Sequence, residues 1–91
     1  MRAIGGKVCG ITRVADALGA AALGVTAVGL NFVADSPRCV TVAEAREICR
    51  ALPPCVLKVG VFLDQPGEEV DRIAAAVGLD RLQLHGVEDA D

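Results

Sequence analysis

The sequence predicts an α/β fold of about four parallel strands and three helices. Strand-like and helix-like segments alternate along the chain, and each helical segment ends at a glycine or a proline pair before the next strand. Strands that alternate with helices pair in parallel through right-handed crossovers. No linker or low-complexity tract divides the 91 residues, so residues 1–91 are expected to form a single domain.

Composition argues against several classes of partner. The chain is 53% hydrophobic and 23% charged, which is typical of a globular protein. A net charge of −3, the lack of a basic cluster and only 2% aromatic residues argue against nucleic acid as a partner. No apolar run approaches the ~20 residues of a membrane span, and Met1–Gly6 is too short for a secretion signal. We therefore expect a cytoplasmic protein without membrane contact.

Cysteine spacing gives no sign of a metal site. The four cysteines, at positions 9, 39, 49 and 55, form no CxxC pair, and the chain has one histidine. A structural zinc site needs closely spaced ligand pairs, so we expect no metal and reduced thiols. The sequence also lacks a GxGxxG or P-loop motif, so no cofactor is expected.

The first helix is predicted between a strand from Lys7 to Ile11 and a strand from Ala27 to Phe32. Thr12 is the predicted N-cap of this helix, and Gly24 is its predicted stop. Its apolar residues at helical spacing are Val14, Ala17, Leu18, Ala21 and Ala22.

The second helix has the sharpest signals. Thr41 and Glu44 are spaced as a capping box, in which each side chain satisfies the backbone N–H of the other residue. Pro53-Pro54 ends the helix. Its apolar face consists of Ala45, Ile48, Cys49 and Leu52.

The remaining elements follow the same alternation. The third strand is predicted from Val56 to Leu63 and the fourth from Arg81 to His85. The helix between them begins near Pro66, carries two glutamates in its positive first turn and stops at Gly78. Its buried face is predicted to contain Val70, Ile73 and Val77.

The two faces of the predicted strands differ in polarity, which favours a (βα)8 TIM barrel over an open sheet. Because strand side chains alternate, one face collects the apolar set Val28, Leu30, Phe32, Val59, Val61, Leu63, Leu82 and Leu84. The other face collects the mixed set Lys7, Cys9, Ile11, Ala27, Gly29, Asn31, Lys58, Gly60, Phe62, Gln83 and His85. A barrel has outer helices and a polar mouth, and typically needs ~250 residues. An open flavodoxin-like sheet, apolar on both faces, remains the alternative from the pattern alone.

Side chains able to carry chemistry fall where the predicted strands end. Cys9, Asn31, Asp64 and His85 lie at or just past strand C-termini, and Arg38 lies in the loop after the second strand. Parallel strands bring these ends to one rim, where barrel enzymes hold their sites. Each residue also has a structural interpretation. Cysteine is often a small buried hydrophobe, and a loop arginine is often solvated. His85 could be a barrel-interior histidine, Asp64 an N-cap and Asn31 a residue that anchors the loop.

Four segments resemble the phosphoribosylanthranilate isomerase family, (βα)8-barrel enzymes of tryptophan biosynthesis. They are Lys7-Val8-Cys9-Gly10-Ile11-Thr12, Leu30 to Val40, Val59 to Gln65 and Gln83-Leu84-His85-Gly86. The resemblance covers nearly the whole chain and the N-terminal half of such a barrel. It implies an Amadori rearrangement of a phosphorylated aminosugar, N-(5-phosphoribosyl)anthranilate, which opens the ribose ring and removes the C2 proton.

The resemblance also implies roles for individual residues. Cys9 would be the general base, which must be poised over C2 with a suitable pKa. Arg38, within Ser36-Pro37-Arg38, would hold the anthranilate carboxylate by bidentate pairing. His85 would bind substrate. Possible supporting residues are Asn31, Asp64 and Gln83.

The chain departs from the family pattern and lacks part of the implied enzyme. Cys39 stands where the family commonly has an aromatic residue, and Asp64 stands where relatives frequently have asparagine. The implied general acid and phosphate loops belong to the second half of the barrel, so no turnover is expected from this chain alone. We expect it to need that C-terminal half-barrel or to self-associate through open sheet edges and an exposed lumen face that includes Ile11 and Phe62. A non-catalytic binding module is the alternative function.

Overall fold

The fold is a parallel four-stranded sheet with its main apolar core against three helices, as predicted. A computed structural model describes residues 6–85. The strands are β1 (Lys7–Cys9), β2 (Ala27–Asn31), β3 (Leu57–Leu63) and β4 (Arg81–His85). The helices are α1 (Val14–Ala22), α2 (Val42–Ala51) and α3 (Gly67–Val77).

The order of the strands separates the two candidate folds. The strands are hydrogen-bonded in the order β1-β2-β3-β4, and every pair is parallel. Successive strands are neighbours in a (βα)8 barrel, whereas a flavodoxin-like sheet begins in the order 2-1-3. The flavodoxin-like alternative is therefore excluded.

The local sequence predicted the start of α2 and the C-terminal end of α3 correctly. The Thr41 hydroxyl accepts from the Glu44 N–H at 3.0 Å, and the Glu44 carboxylate accepts from the Thr41 N–H at 2.9 Å. This is the predicted capping box. Gly78 caps the C-terminus of α3 in the left-handed conformation, with φ of 87°.

The start of α1 differs from the prediction. Its N-cap is Arg13 rather than Thr12, and no side chain caps it. Strand β1 ends at Cys9 because Gly10 turns the chain at φ of 84°. Ile11 then enters the core, at 7% exposure, so the helix begins only after this anchored segment. Leu18 is exposed, and the buried residues of α1 are Ala17 and Ala20.

The predicted faces of β3 are wrong. Leu30 pairs in register with Gly60, so Gly60 and Phe62 share the face of Leu30 that packs against the helices. Phe62 is fully buried and stacks on Phe32 with ring centroids 5.2 Å apart. Gly60 leaves the space that Leu79 and the Phe62 ring occupy. Lys58, in register with Val28, also lies on this helix face rather than in the lumen.

The opposite face of the sheet, here called the concave face, carries Cys9, Gly29 and Val59 side by side in register. On this face Lys7 Nζ of β1 donates a hydrogen bond to Gln83 Oε1 of β4. In a flat sheet these strands would lie ~14 Å apart, since strand spacing is about 4.8 Å. The contact indicates that the sheet curls into an arc, as half of a barrel must.

Both edges of the arc expose apolar side chains. On β1, Val8 is 36% exposed; on β4, Leu82 and Leu84 are 42% and 60% exposed. We call Leu82 and Leu84 the β4 edge patch. The patch lines an open groove of about 430 Å³ between β4 and α3. No helix among the described residues has the length and apolarity to span a bilayer.

Candidate active site

The carboxyl ends of all four strands lie at one rim of the arc. Cys9, Asn31, Leu63 and His85 are the last residues of β1 to β4. Cys9 is exposed and pairs in register with Gly29, while His85 pairs with Leu63. The strands therefore bring Cys9 and His85 to the same rim, as predicted. The side chain of His85 lies outside the described part of the structure.

Asn31 organises the loop that follows β2. The side-chain oxygen of Asn31 accepts a hydrogen bond from the Val33 N–H at 2.7 Å, and its side-chain nitrogen donates to the Ser36 hydroxyl at 3.4 Å. The Asn31 backbone oxygen also accepts from the Val40 N–H at 2.9 Å, where the loop returns to the sheet. These contacts match the loop-anchor interpretation of Asn31.

Arg38 extends from this loop towards β1. The Ser36 hydroxyl accepts a hydrogen bond from the Arg38 N–H at 3.1 Å, which fixes the backbone at that point. A Cβ placed on Gly10 would lie 2.7 Å from Arg38 Cδ and 3.0 Å from Arg38 Nη1. The arginine side chain thus lies directly over the residue that follows Cys9. The structure brings the thiol and the guanidinium to the same part of the rim.

Asp64 does not cap the helix that follows it. The N-cap of α3 is Pro66, which has no side-chain capping bond. Asp64 instead adopts a left-handed backbone, with φ of 57°, a conformation that aspartate tolerates better than most residues. Asp64 therefore turns the chain out of β3 at the rim. Its N-cap interpretation is wrong.

Gln65 is a structural residue of the rim that the sequence did not reveal. The side-chain oxygen of Gln65 accepts a hydrogen bond from the Leu63 N–H, and its side-chain nitrogen donates to the Phe32 backbone oxygen at 2.9 Å. It thereby joins the ends of β2 and β3. An amide directly after a strand end was the available signal, but nothing in the spacing pointed to Phe32.

Gln83 lies on the concave face, where Lys7 donates to it. The Lys58 ammonium donates to the Pro53 backbone oxygen at 3.3 Å, before β3 begins. Lys58 is therefore away from the rim.

The other three cysteines differ from one another in their surroundings. Cys49 is buried on α2, and burial raises the pKa of its thiol, while the Lys58 cation opposes this shift and the Asp80 carboxylate adds to it. Cys39 is half-buried and Cys55 is exposed. Within residues 6–85, no three His, Cys, Asp or Glu side chains are grouped as metal ligands.

Comparisons with known proteins identify relatives of the whole chain. It is 55% identical over 91 residues to N-(5'-phosphoribosyl)anthranilate isomerase of Pseudomonas paraeruginosa, covering 100% of this chain and 43% of that protein. It is 61% identical over 82 residues to the isomerase of Rubrobacter xylanophilus, covering 90% of this chain and 40% of that protein. The structure matches phosphoribosyl anthranilate isomerase from Thermus thermophilus with a TM-score of 0.89 at 48% identity, over 93% of this chain and 42% of that one.

A further solved structure, 40% identical with a TM-score of 0.89, is a phosphoribosyl anthranilate isomerase in complex with reduced 1-(o-carboxyphenylamino)-1-deoxyribulose 5-phosphate. The chain thus spans less than half the length of the relatives and solved structures it matches. The fold is the N-terminal half of their TIM barrel. The sequence model of N-(5'-phosphoribosyl)anthranilate isomerase matches residues 6–91, and the chain therefore belongs to the N-(5'-phosphoribosyl)anthranilate isomerase family.

Proposed function

We propose that this chain supplies the N-terminal half of a phosphoribosylanthranilate isomerase of tryptophan biosynthesis. The reaction converts N-(5-phosphoribosyl)anthranilate to 1-(2-carboxyphenylamino)-1-deoxyribulose 5-phosphate. The observation that carries the proposal is the position of Arg38, laid over Gly10 beside Cys9 at the rim of the strands. A thiol and a guanidinium placed together suit a substrate with both an acidic carbon and a carboxylate.

Cys9 is the proposed general base. Once the ring oxygen is protonated and the C1–O bond breaks, the nitrogen lone pair forms an iminium at C1. The Cys9 thiolate then takes the proton from C2, and the C2–H electron pair forms a C1–C2 double bond while the iminium pair returns to nitrogen. The resulting enol then gains a proton at C1 and loses the proton of its C2 hydroxyl, which gives the ketone at C2. The exposure of Cys9 on the concave face supports its role as the base, because a base must reach the substrate.

Arg38 is proposed to hold the anthranilate carboxylate. The guanidinium fork can pair with both carboxylate oxygens, which fixes the orientation of the substrate as well as its charge. Asn31 would act through the loop, because its hydrogen bonds order the segment that carries Arg38. It is thus a positioning residue.

His85, Gln83 and Asp64 are proposed to contribute from the other strands. His85 would bind substrate from the end of β4. Gln83 lies on the concave face with Lys7 and would support the floor of the site. Asp64 lies at the end of β3, where it shapes the turn beside the rim.

The second half of the barrel is the proposed partner. It would supply the general acid that protonates the ring oxygen and the loops that bind phosphate. The exposed apolar side chains on β1 and β4 support this partnership, because a barrel would cover both edges. Residues 1–91 would then be one incomplete domain of a cytoplasmic enzyme, with no turnover of its own.

A non-catalytic half-barrel that self-associates is the second candidate. The same open edges favour it, because β4 of one copy could pair in parallel with β1 of another. The two candidates make different predictions about chemistry rather than about association.

The test is conversion of N-(5-phosphoribosyl)anthranilate by this chain alone and by this chain mixed with the C-terminal half of a relative. We expect turnover only in the mixture, and a loss of about 10²–10⁴-fold in Cys9→Ser, as is typical for removal of a catalytic base. Cys55→Ser, on an exposed thiol before β3, is the matched control and should leave turnover unchanged. Halves that associate without any turnover would favour the non-catalytic candidate.

A further inference from the structure

The Cys9 side chain occupies space that a residue other than glycine at position 29 would fill. Cys9 and Gly29 are register partners on β1 and β2. A Cβ built on Gly29 would lie 2.9 Å from Cys9 Sγ, 3.3 Å from Cys9 Cα and 3.4 Å from Cys9 Cβ. Optimal separations between nonbonded carbon atoms are about 3.5–4.0 Å. The thiol therefore rests against the bare backbone of β2.

The backbone conformation at position 29 does not require glycine. Gly29 lies inside β2 and is not among the glycines with positive φ. Glycine in a strand interior weakens the strand and often marks a place where another group approaches closely. The group that approaches here is the Cys9 thiol.

We propose that Gly29 is a positioning residue for the Cys9 thiol. Its missing side chain lets Sγ adopt the rotamer that leans from β1 towards β2, the strand whose loop carries Arg38. A methyl group at position 29 would drive Sγ into another staggered rotamer, away from the guanidinium. This inference deepens the proposed function, because it concerns the thiol proposed as the base.

The test is a double-mutant cycle between positions 9 and 29, read by thermal melting at one protein concentration. Gly29→Ala should lower the melting temperature by about 4–8 °C in the native background, because the added methyl overpacks the contact with Sγ. In the Cys9→Ala background most of that loss should disappear. The gain from replacing a flexible glycine would then offset the remaining crowding.

Gly19→Ala is the matched control. Gly19 lies in α1, and within residues 6–85 no atom beyond its chain neighbours and the adjacent helix backbone lies within 4 Å of a built Cβ. Alanine also favours a helix. Substitution of Gly19 should leave the melting temperature equal or higher in both backgrounds.

A second measurement reads the thiol itself. Iodoacetamide labelling, quantified by peptide mass mapping, gives the ratio of Cys9 to Cys55 modification within one chain. Gly29→Ala should raise this ratio severalfold, because the thiol turns out of its contact towards solvent. Gly19→Ala should not change it.

Equal melting losses in the two backgrounds would overturn the inference, as would an unchanged labelling ratio. Unfolding of Gly29→Ala in both backgrounds would count against it as well. Unfolding of Gly29→Ala in the native background, but not in the Cys9→Ala background, would support the inference. None of these readouts needs turnover, so an inactive reconstituted enzyme would count against the proposed function and leave this test standing.

Discussion

Gly10 connects the two side chains on which the proposed chemistry depends. Its φ of 84° turns the chain directly after Cys9, and the Arg38 side chain lies across its half-buried backbone. Any Cβ at this position would meet Arg38 Cδ at 2.7 Å. The geometry of the loop after β2 is thereby linked to the end of β1, and the guanidinium approaches the thiol without a direct bond between them.

Replacing Arg38 by lysine should raise KM for the aminosugar by at least about tenfold in the reconstituted enzyme, with a smaller effect on kcat. Lysine keeps the charge but loses the paired donors, and a hydrogen bond to a charged group contributes roughly 1.5–3 kcal/mol. Steady-state kinetics measure the change. Arg13→Lys is the control, since Arg13 is largely exposed and pairs with Asp16 at 3.8 Å; the KM of this variant should stay unchanged. An unchanged KM in Arg38→Lys would contradict the carboxylate role.

At the scale of elements, the first two helices begin in different ways. Helix α2 has a complete capping box, whereas α1 starts at Arg13 with no side-chain cap. The strength of the start signal therefore differs between two threonines that precede helices, Thr12 and Thr41.

Thr41→Ala should cost about 1 kcal/mol of folding free energy, the typical value of an N-cap side chain. Thr12→Ala should cost less than about 0.5 kcal/mol, as surface substitutions away from such features usually do. Thermal melting of the two variants at equal concentration measures the difference. Equal losses would show that Thr12 contributes a cap that the structure does not contain.

Local sequence signals were sufficient where the end of an element depends on nearby residues. Capping at Thr41 and the stop at Gly78 depend on groups a few residues apart, so the local sequence predicted them. The faces of β3 depend on its register against β2. Both faces of Leu57 to Leu63 carry apolar side chains, and one of them combines Lys58 with Phe62, so alternation alone could not choose between them. The partner of Gln65 is likewise set by tertiary structure, 33 residues away.

The candidate site was predictable for a related reason. Parallel strands of known order place all their carboxyl ends together, so the rim position of Cys9 and His85 followed from the strand assignment. The strand assignment also placed the Arg38 loop at this rim. The contact of the Arg38 side chain with Gly10 was not predictable, because it depends on a loop ordered by Asn31 and on the missing side chain at Gly10.

At the scale of the whole molecule, the arc leaves the β4 edge patch of Leu82 and Leu84 uncovered. Open sheet edges with exposed apolar side chains promote association. We expect the isolated chain to self-associate at micromolar concentration.

Leu84→Glu should shift this association towards monomer, because it places a charge in the exposed patch beside the open edge. Leu23→Glu is the control, since Leu23 is 67% exposed at the C-cap of α1 and lies on no strand. Size-exclusion chromatography with light scattering measures the mass of each variant. A compact native monomer, or equal shifts in both variants, would contradict the role of the β4 edge.

A cross-linking measurement between position 9 and position 38 tests whether the thiol and the guanidinium share one part of the rim. The variant Arg38→Cys, with Cys39, Cys49 and Cys55 replaced, is treated with a short rigid dimaleimide at low concentration and mapped by mass spectrometry. The control keeps Cys9 and Cys55, which precedes β3 at the opposite end of the strands. Because the rim brings Cys9 and the Arg38 loop together, we predict an intramolecular link in the variant and none in the control. A link from Cys9 to Cys55 with none to position 38 would place the thiol and the guanidinium apart and contradict the proposed site.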